Sequence, residues 1–237
     1  MKIISNFYDG KFIKSESTDK LSLFKPTTGE EYAHIPITTD KEFQSIIDKM
    51  KIAQASWANT PITKRSSILF KFKNLIEKNF DDIARIISEE HGKVFSDAKG
   101  SLQRGLEVVD FACGIPHLLK GNHSINVGTN VDSFDIKQPL GLCAGITPFN
   151  FPAMVPMWMF PISIACGNAF MLKPSEKVPQ CSLKLGELLN EAGLPENVLT
   201  IVNGDKSVVD KILQSPDISS VSFVGSTPVA KYIYTEC

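Results

Sequence analysis

The stretch that decides the fold is residues 139–173, PLGLCAGITPFNFPAMVPMWMFPISIACGNAFMLK. It contains two short apolar runs, LCAGI at residues 142–146 and AFML at residues 169–172, and it has no charged residue before Lys173. Five prolines interrupt the apolar stretch, so it cannot form the continuous helix that a membrane span requires. We therefore expect a buried segment of a soluble protein and no association with a membrane.

Two further apolar runs continue this pattern toward the carboxyl end. They are VLTIV at residues 198–202 and VSFV at residues 221–224, and the four runs start 27, 29 and 23 residues apart. Helical stretches lie between the runs, the clearest at residues 178–192, after which Gly193 acts as a stop. Strands that alternate with helices at this spacing predict right-handed βαβ units and a parallel sheet. The predicted fold class is α/β.

The first third of the chain is predicted to be helical. Thr39 and Glu42 fit a capping box, Pro61 ends that first helix, and two more helices follow, the second of which closes at Gly92. A longer fourth helix is predicted for residues 96–119. Apolar side chains recur on one face of each helix, so these helices are expected to serve as scaffold.

A different pattern occupies residues 122–138. Short alternating strands around Gly128, Thr129 and Asn130 predict a hairpin. An isolated hairpin is marginal in water, so we expect it to pack on another chain or another part of the protein. The chain then divides into a helical part at residues 1–121, the hairpin at residues 122–138 and a sheet-forming part at residues 139–237.

Composition excludes several classes of function. The net charge is −1, so no basic field attracts nucleic acid or anionic lipid. The five cysteines are scattered without a CxxC pair, and the four histidines do not stand at metal-ligand spacing beside them. We expect no metal site and free, mostly buried thiols, which suit a reducing compartment such as the cytoplasm. The first 14 residues have no signal-peptide or transit-peptide pattern.

Open parallel sheets bind ligands at the carboxyl ends of their strands. The segments that follow the four apolar runs are polar or turn-forming: TPFNFP at 147–152, KPSEK at 173–177, NGDKS at 203–207 and GSTP at 225–228. The dinucleotide fingerprint GxGxxG is absent, and GDKS lacks the upstream glycine of a phosphate-binding loop. Taken singly, these clusters fit a nucleotide site or ordinary loops.

The order and wording of the motifs resemble the aldehyde dehydrogenase superfamily. The collinear motifs are TPFNFP, MFPISIACGN (159–168), LKPSE (172–176), EAGLPENVLTIVNG (191–204) and FVGST (223–227). The segment RGLEVVDFACGIPHLLKG (104–121) and the Thr-Pro-Phe-Asn wording resemble the methylmalonate-semialdehyde branch. The resemblance implies amino-terminal helices with a Rossmann-like NAD-binding sheet, incomplete at residues 139–237 and ending before the catalytic domain. It also implies that residues 122–138 form the oligomerisation hairpin of a homotetramer.

The resemblance implies NAD as the cofactor and two residues that hold its adenine ribose. Lys173 and Glu176 match this pair; an ammonium can donate to a hydroxyl oxygen while a carboxylate accepts the hydroxyl hydrogen. A solvated surface pair is the alternative for these two residues. Lys177 lies beside them, at the adenosine edge.

Other cofactor contacts follow from the same resemblance. Ser226 matches the residue that meets the pyrophosphate, at a helix N-terminus where free N–H groups favour an anion. Pro228 fits the first turn of that helix. Thr147 and Phe149 match backbone and wall positions near the cofactor.

Two residues are implied to act on the substrate, a small aldehyde. Asn150 matches the oxyanion-hole asparagine, whose side-chain N–H₂ would stabilise the charge on an attacked carbonyl. The alternative is an asparagine that caps a helix starting at Pro152. Arg104 matches a residue that can hold a substrate carboxylate with two hydrogen bonds, and a surface salt bridge is its alternative.

The implied reaction is NAD-dependent oxidation of methylmalonate semialdehyde or malonate semialdehyde, with loss of CO₂ and with coenzyme A as the acyl acceptor. No residue matches the nucleophilic cysteine, and the surroundings of Cys237 do not resemble its motif, so residues 1–237 alone are expected to be inactive. Two alternatives stay open: a general aldehyde or succinate-semialdehyde dehydrogenase, and a non-catalytic NAD-binding remnant.

Overall fold

A computed structural model describes residues 2–237. Five short strands, β1 to β5, precede the first helix: Lys2–Ile3, Asn6–Tyr8, Lys11–Ile13, Lys20–Phe24 and Glu31–Pro36. Five helices, α1 to α5, follow: Asp40–Ala58, Ile62–Lys78, Phe80–His91, Phe95–Cys113 and Ile115–Leu118. The hairpin strands are β6 (His123–Gly128) and β7 (Val131–Phe134). The rest alternates strand and helix: β8 (Leu142–Ile146), α6 (Met154–Ala165), β9 (Ala169–Lys173), α7 (Pro179–Glu191), β10 (Leu199–Ile201), α8 (Lys206–Gln214), β11 (Ile218–Phe223) and α9 (Thr227–Glu236).

The predicted parallel sheet is confirmed. Its strand order is β11-β8-β9-β10-β2-β3, and the four strands formed by the apolar runs are parallel to one another. Strand β2 adds to β10 in antiparallel orientation, with Phe7 opposite Ile201, and β3 completes this side. The amino-terminal β2–β3 hairpin therefore covers one edge of the sheet, and β11 forms the other.

Both faces of the sheet are buried at its central strands, β8, β9 and β10. Successive side chains of a strand point to opposite faces. In β9, Met171 packs with residues of α1 and α8, whereas Phe170 packs with residues of α6 and α7. The continuous apolar runs of β8 and β9 follow from this arrangement, because no position in either strand faces water.

The helical prediction for the first third is wrong for residues 2–36, which form β1 to β5. A separate three-stranded sheet has the order β1-β5-β4, while β2 and β3 join the main sheet. The predicted long fourth helix also breaks. Helix α4 ends at Cys113 and α5 starts at Ile115, because Pro116 has no N–H with which to continue the hydrogen bonding of α4.

The start of α1 confirms half of the predicted capping box. The Thr39 hydroxyl accepts a hydrogen bond of 3.2 Å from the Glu42 backbone N–H. The Glu42 carboxylate turns away from the helix and accepts from the side chains of Asn6 (2.9 Å) and Ser15 (2.6 Å). Glu42 thus ties the amino-terminal strands to α1.

The apolar segment of residues 139–172 is divided among β8, α6 and β9. Over residues 2–237, no helix combines the length and the apolar character needed to cross a membrane. Helix α6, the helix of this segment, has 12 residues and contains Pro161.

Candidate active site

The carboxyl ends of the parallel strands meet at one edge of the sheet. The Thr147 N–H, just after β8, donates to the Lys173 carbonyl at the end of β9 over 3.2 Å. On the other side of β8, the Val224 N–H donates to the Ile146 carbonyl over 3.3 Å. The segments that carry Thr147, Lys173 and Ser226 therefore lie side by side, as the sequence predicts.

Lys173 and Glu176 form an ion pair at this edge. The Lys173 ammonium lies 3.3 Å from a Glu176 carboxylate oxygen. The Lys173 side chain is only 5% exposed, whereas that of Glu176 is 38% exposed. Burial lowers the pKa of Lys173, and the Glu176 carboxylate opposes that shift. The alternative of a solvated surface pair does not fit a buried ammonium, and the exposed carboxylate leaves room for a ligand hydroxyl.

Phe149 and Lys177 lie on the same side of the site. The Phe149 ring is 49% exposed, and the Lys177 ammonium stands 4.9 Å from its centre. The His91 ring stacks on the ring of Phe149, with 6.5 Å between centroids. A cleft of about 520 Å³ is lined by Phe149, Glu176 and Lys177, and also by β4, Glu90 and His91. The motif-based prediction missed Glu90 and His91, which lie at the end of α3.

Ser226 is exposed at the N-cap of α9, two strands from Lys173 along the same edge. Pro228 lies in the first turn of the helix, as predicted. The Ser226 side chain makes no capping hydrogen bond. The N-terminus of α9 therefore has the geometry that favours an anion.

Asn150 is exposed in the loop between β8 and α6. The alternative role as a helix cap is wrong, because α6 begins at Met154 and its N-cap is Ala153. The Asn150 backbone carbonyl accepts a hydrogen bond of 3.0 Å from the Lys93 ammonium. Lys93 was not among the predicted site residues.

Arg104 is exposed on α4. Among residues 2–237 it takes part in no ion pair, so the surface salt bridge suggested as an alternative does not form there. The neighbouring Gly105 faces α6: a Cβ atom there would stand 3.2 Å from the Met154 Cα. Helix α4 thus packs closely on the helix that follows the Asn150 loop, while the guanidinium remains free.

The aldehyde dehydrogenase family model matches residues 12–237 of the chain. The chain belongs to the aldehyde dehydrogenase family. The resemblance carried by the five collinear motifs is therefore confirmed.

Several members of the aldehyde dehydrogenase family that are similar to this chain are named as semialdehyde dehydrogenases. The chain is 49% identical over 236 residues to malonate-semialdehyde dehydrogenase of Pseudomonas aeruginosa, covering 100% of this chain and 47% of that protein. It is 47% identical over 231 residues to the mitochondrial acylating methylmalonate-semialdehyde dehydrogenase of Arabidopsis thaliana, covering 98% and 38%. A crystal structure of a putative methylmalonate-semialdehyde dehydrogenase from Sinorhizobium meliloti, complexed with NAD, superposes with a TM-score of 0.97 at 47% identity, covering 100% and 48%. The chain spans about half the length of the Pseudomonas aeruginosa and Sinorhizobium meliloti proteins and 38% of the Arabidopsis thaliana protein.

The cysteines of this aldehyde dehydrogenase chain are free thiols. Cys113, Cys143 and Cys181 are buried, as predicted, while Cys166 is half-buried and Cys237 is exposed. Burial raises the pKa of Cys113 to about 11 and also raises the pKa of Cys143, Cys166 and Cys181. Because the thiolate is the reactive form, these four cysteines are poor nucleophiles.

Proposed function

We propose that residues 1–237 form the NAD-binding part of an aldehyde dehydrogenase that acts on methylmalonate semialdehyde or malonate semialdehyde. The observation that carries the cofactor assignment is the buried Lys173 ammonium, paired with the half-exposed Glu176 at the carboxyl edge of the sheet. The similarity to semialdehyde dehydrogenases supports the substrate class, and the NAD complex of the Sinorhizobium meliloti relative supports the choice of cofactor.

In this proposal, residues at the ends of different strands bind different parts of the cofactor. Lys173 and Glu176 hold the adenine ribose, with Lys177 at the adenosine edge. Ser226 and the free N–H groups of α9 receive the pyrophosphate, since a helix N-terminus favours an anion. Thr147 and Phe149 form the backbone and wall contacts. The residues fit a dinucleotide because their paired donor and acceptor, exposed ring and helix N-terminus lie along one edge.

Asn150 and Arg104 would act on the substrate. The Asn150 side-chain amide is exposed and able to donate to a carbonyl oxygen that gains negative charge during thiolate attack. The unpaired Arg104 guanidinium would bind the substrate carboxylate. By family resemblance, the nucleophilic cysteine is outside these residues, bound NAD accepts the hydride, and coenzyme A takes the acyl group after loss of CO₂.

The hairpin β6–β7 would mediate assembly, as a homotetramer of the complete protein. All ten of its strand residues are exposed, including Ile125, Val127, Val131 and Phe134. Exposed apolar groups clustered on one projecting hairpin are typical of an interaction site. The free thiols fit our proposal of a reducing compartment such as the cytoplasm.

Calorimetric titration of residues 1–237 with NAD tests the cofactor assignment. We expect measurable heat with a stoichiometry of one per chain and a rise in melting temperature at saturating NAD, because a ligand that binds only the folded state stabilises it. Absence of both effects in a folded sample would refute NAD binding by this chain.

Activity assays separate the catalytic proposal from its alternatives. We expect residues 1–237 to produce no NADH from an aldehyde, because four of the five thiols are protonated and the fifth matches no catalytic motif. Aldehyde-dependent NADH formation would contradict this. For the complete protein, fast turnover that does not need coenzyme A would favour another branch of the family.

A further inference from the structure

Lys93 lies in the turn between α3 and α4 and is held there by its surroundings. Gly92 ends α3 with a left-handed φ of 84°, which turns the chain sharply before Lys93. The Lys93 carbonyl accepts a hydrogen bond of 2.6 Å from the Ser88 hydroxyl. The side chain of Lys93 is only 8% exposed. A lysine in this position is not an ordinary solvated surface residue.

The Lys93 ammonium reaches the loop that carries Asn150. It donates to the Asn150 backbone carbonyl over 3.0 Å and to the Ser101 hydroxyl over 3.4 Å, and the Asp97 carboxylate lies 3.5 Å away. It also stands 4.4 Å from the centre of the Phe151 ring. The ammonium therefore has three oxygen acceptors within 3.5 Å, and its charge lies close to the ring of Phe151, the next residue of the loop.

The contacted loop, residues 147–153, has no regular secondary structure. Its ends are tied by the hydrogen bond from Thr147 N–H to the Lys173 carbonyl and by that from Val155 N–H to the Phe151 carbonyl. Lys93 adds a third hydrogen bond in the middle of the loop, to the backbone carbonyl of Asn150. The Asn150 side chain remains exposed. Lys93 thus restrains the backbone from which the amide projects without covering the amide itself.

We propose that Lys93 is a positioning residue for Asn150, which fixes the loop so that the amide has one orientation. The inference rests on the proposed role of Asn150 as the oxyanion donor. Such a donor is effective only when its geometry is fixed before the reaction. Loss of the Lys93 ammonium would leave the fold intact, because its contacts join the turn between α3 and α4 to a loop and not to the core. The Asn150 side-chain amide would then be free to change its orientation.

Nuclear magnetic resonance on residues 1–237 tests this role directly. Removal of the ammonium in Lys93→Met should move the Asn150 carbonyl ¹³C signal upfield, as expected for a lost hydrogen bond, and should shift or broaden the Asn150 side-chain amide signals. Lys93→Arg keeps a cation and should restore most of the wild-type pattern. The matched control is Lys99→Met, which removes a lysine of α4 that pairs with Asp81 and stands over Phe80 and Phe95.

Unchanged Asn150 signals in a folded Lys93→Met variant would overturn the inference, as would equal changes in Lys99→Met. If Lys93→Met fails to fold, Lys93→Gln, which keeps a polar group but cannot span the same distance, should give the same loss. NAD calorimetry on the same samples keeps the two proposals separate. Absence of NAD binding would remove the proposed function, while the carbonyl signal would still decide whether Lys93 holds the loop.

Discussion

Glu90 and Cys181 are 91 residues apart in the chain, and a hydrogen bond of 2.9 Å joins the Cys181 backbone N–H to a Glu90 carboxylate oxygen. The other oxygen of Glu90 accepts from the Gln180 N–H over 2.8 Å. Both donors belong to the first turn of α7, so Glu90 of α3 caps a helix to which it is not adjacent in sequence. Helix α7 follows the segment with Lys173 and Glu176, so this cap fixes where that segment ends.

The buried Glu90 carboxyl group predicts an unusual dependence of stability on pH. Burial raises the pKa of Glu90 from 4.5 to about 8, although its two N–H donors oppose the shift. Its contribution to stability is therefore complete below pH 4.5 and is lost as the pH rises through about 8. We expect the free energy of unfolding of the wild type, relative to Glu90→Gln, to fall as the pH rises from 5 to 9. For one group the slope is at most about 1.4 kcal/mol per pH unit.

Urea unfolding of both proteins at a series of pH values provides this difference. Subtracting the two free energies of unfolding at each pH removes the contributions of the groups that titrate in both proteins. Parallel stability curves would show that the Glu90 carboxyl does not titrate in this range.

The ion pair at the sheet edge predicts a specific loss of NAD affinity. Lys173→Met keeps the length of the buried stem and removes the donor. A hydrogen bond to a charged group contributes about 1.5–3 kcal/mol, so we expect NAD to bind roughly 10–150 times more weakly. Calorimetry measures the dissociation constant.

Lys184→Met is the matched control for this experiment. Lys184 and Glu187 have the same spacing as Lys173 and Glu176 and form an ion pair of 2.6 Å, but they lie on α7 with the Lys184 side chain 28% exposed. NAD affinity should be unchanged in this variant. An equal loss in both variants would mean that the effect comes from net charge and not from the site.

The four parallel strands and the positions of the cofactor-site candidates were predictable because both depend on local patterns. The apolar runs mark the strands, and the strand ends determine where Lys173, Thr147 and Ser226 lie. The amino-terminal strands were not predictable in this way. Strand β2 has three residues and is stabilised by pairing with β10, about 190 positions later, so its own sequence carries little signal.

Lys93 and Glu90 were missed for a different reason. Each is a charged residue at or near a helix end, where most such residues are solvated. Their burial depends on which loop and which helix pack against α3, and no local pattern shows this. The wrong capping role of Asn150 has a similar origin, because the start of α6 depends on its packing and is not marked by a capping residue.

Two glycines of α4 predict opposite effects of the same substitution. A Cβ atom at Gly105 would overlap the Met157 side chain and stand 3.2 Å from the Met154 Cα, whereas a Cβ atom at Gly100 meets nothing within 4 Å. Gly105→Ala should destabilise the protein by about 1–3 kcal/mol, reduced by a helix-propensity gain of up to about 1 kcal/mol. Gly100→Ala should stabilise it by about 0.5–1 kcal/mol. Chemical denaturation measures both changes, and a stabilising Gly105→Ala would contradict the close packing of α4 on α6.

The exposed hairpin predicts that the protein self-associates and that a single charge introduced into the hairpin weakens the association. Ile125 on β6 is 69% exposed. Ile125→Glu should lower the sedimentation-derived association constant, since a carboxylate resists burial in an apolar interface. Ile52 on α1 is 76% exposed, and Ile52→Glu serves as the control of the same residue type. The assembly role of the hairpin would be refuted if both variants associate as the wild type does.

The pairing of β2 with β10 also constrains how the protein can be made. The Asn203 backbone N–H donates a hydrogen bond of 2.8 Å to the side-chain oxygen of Asn6, and the two residues are 197 positions apart in the chain. At roughly 5–20 residues per second, a ribosome needs roughly 10–40 s to synthesise such an interval. During that time β2 exists without β10, the strand with which it pairs. Strand β2 is therefore translated long before its partner, and it cannot take its native position until β10 has been synthesised.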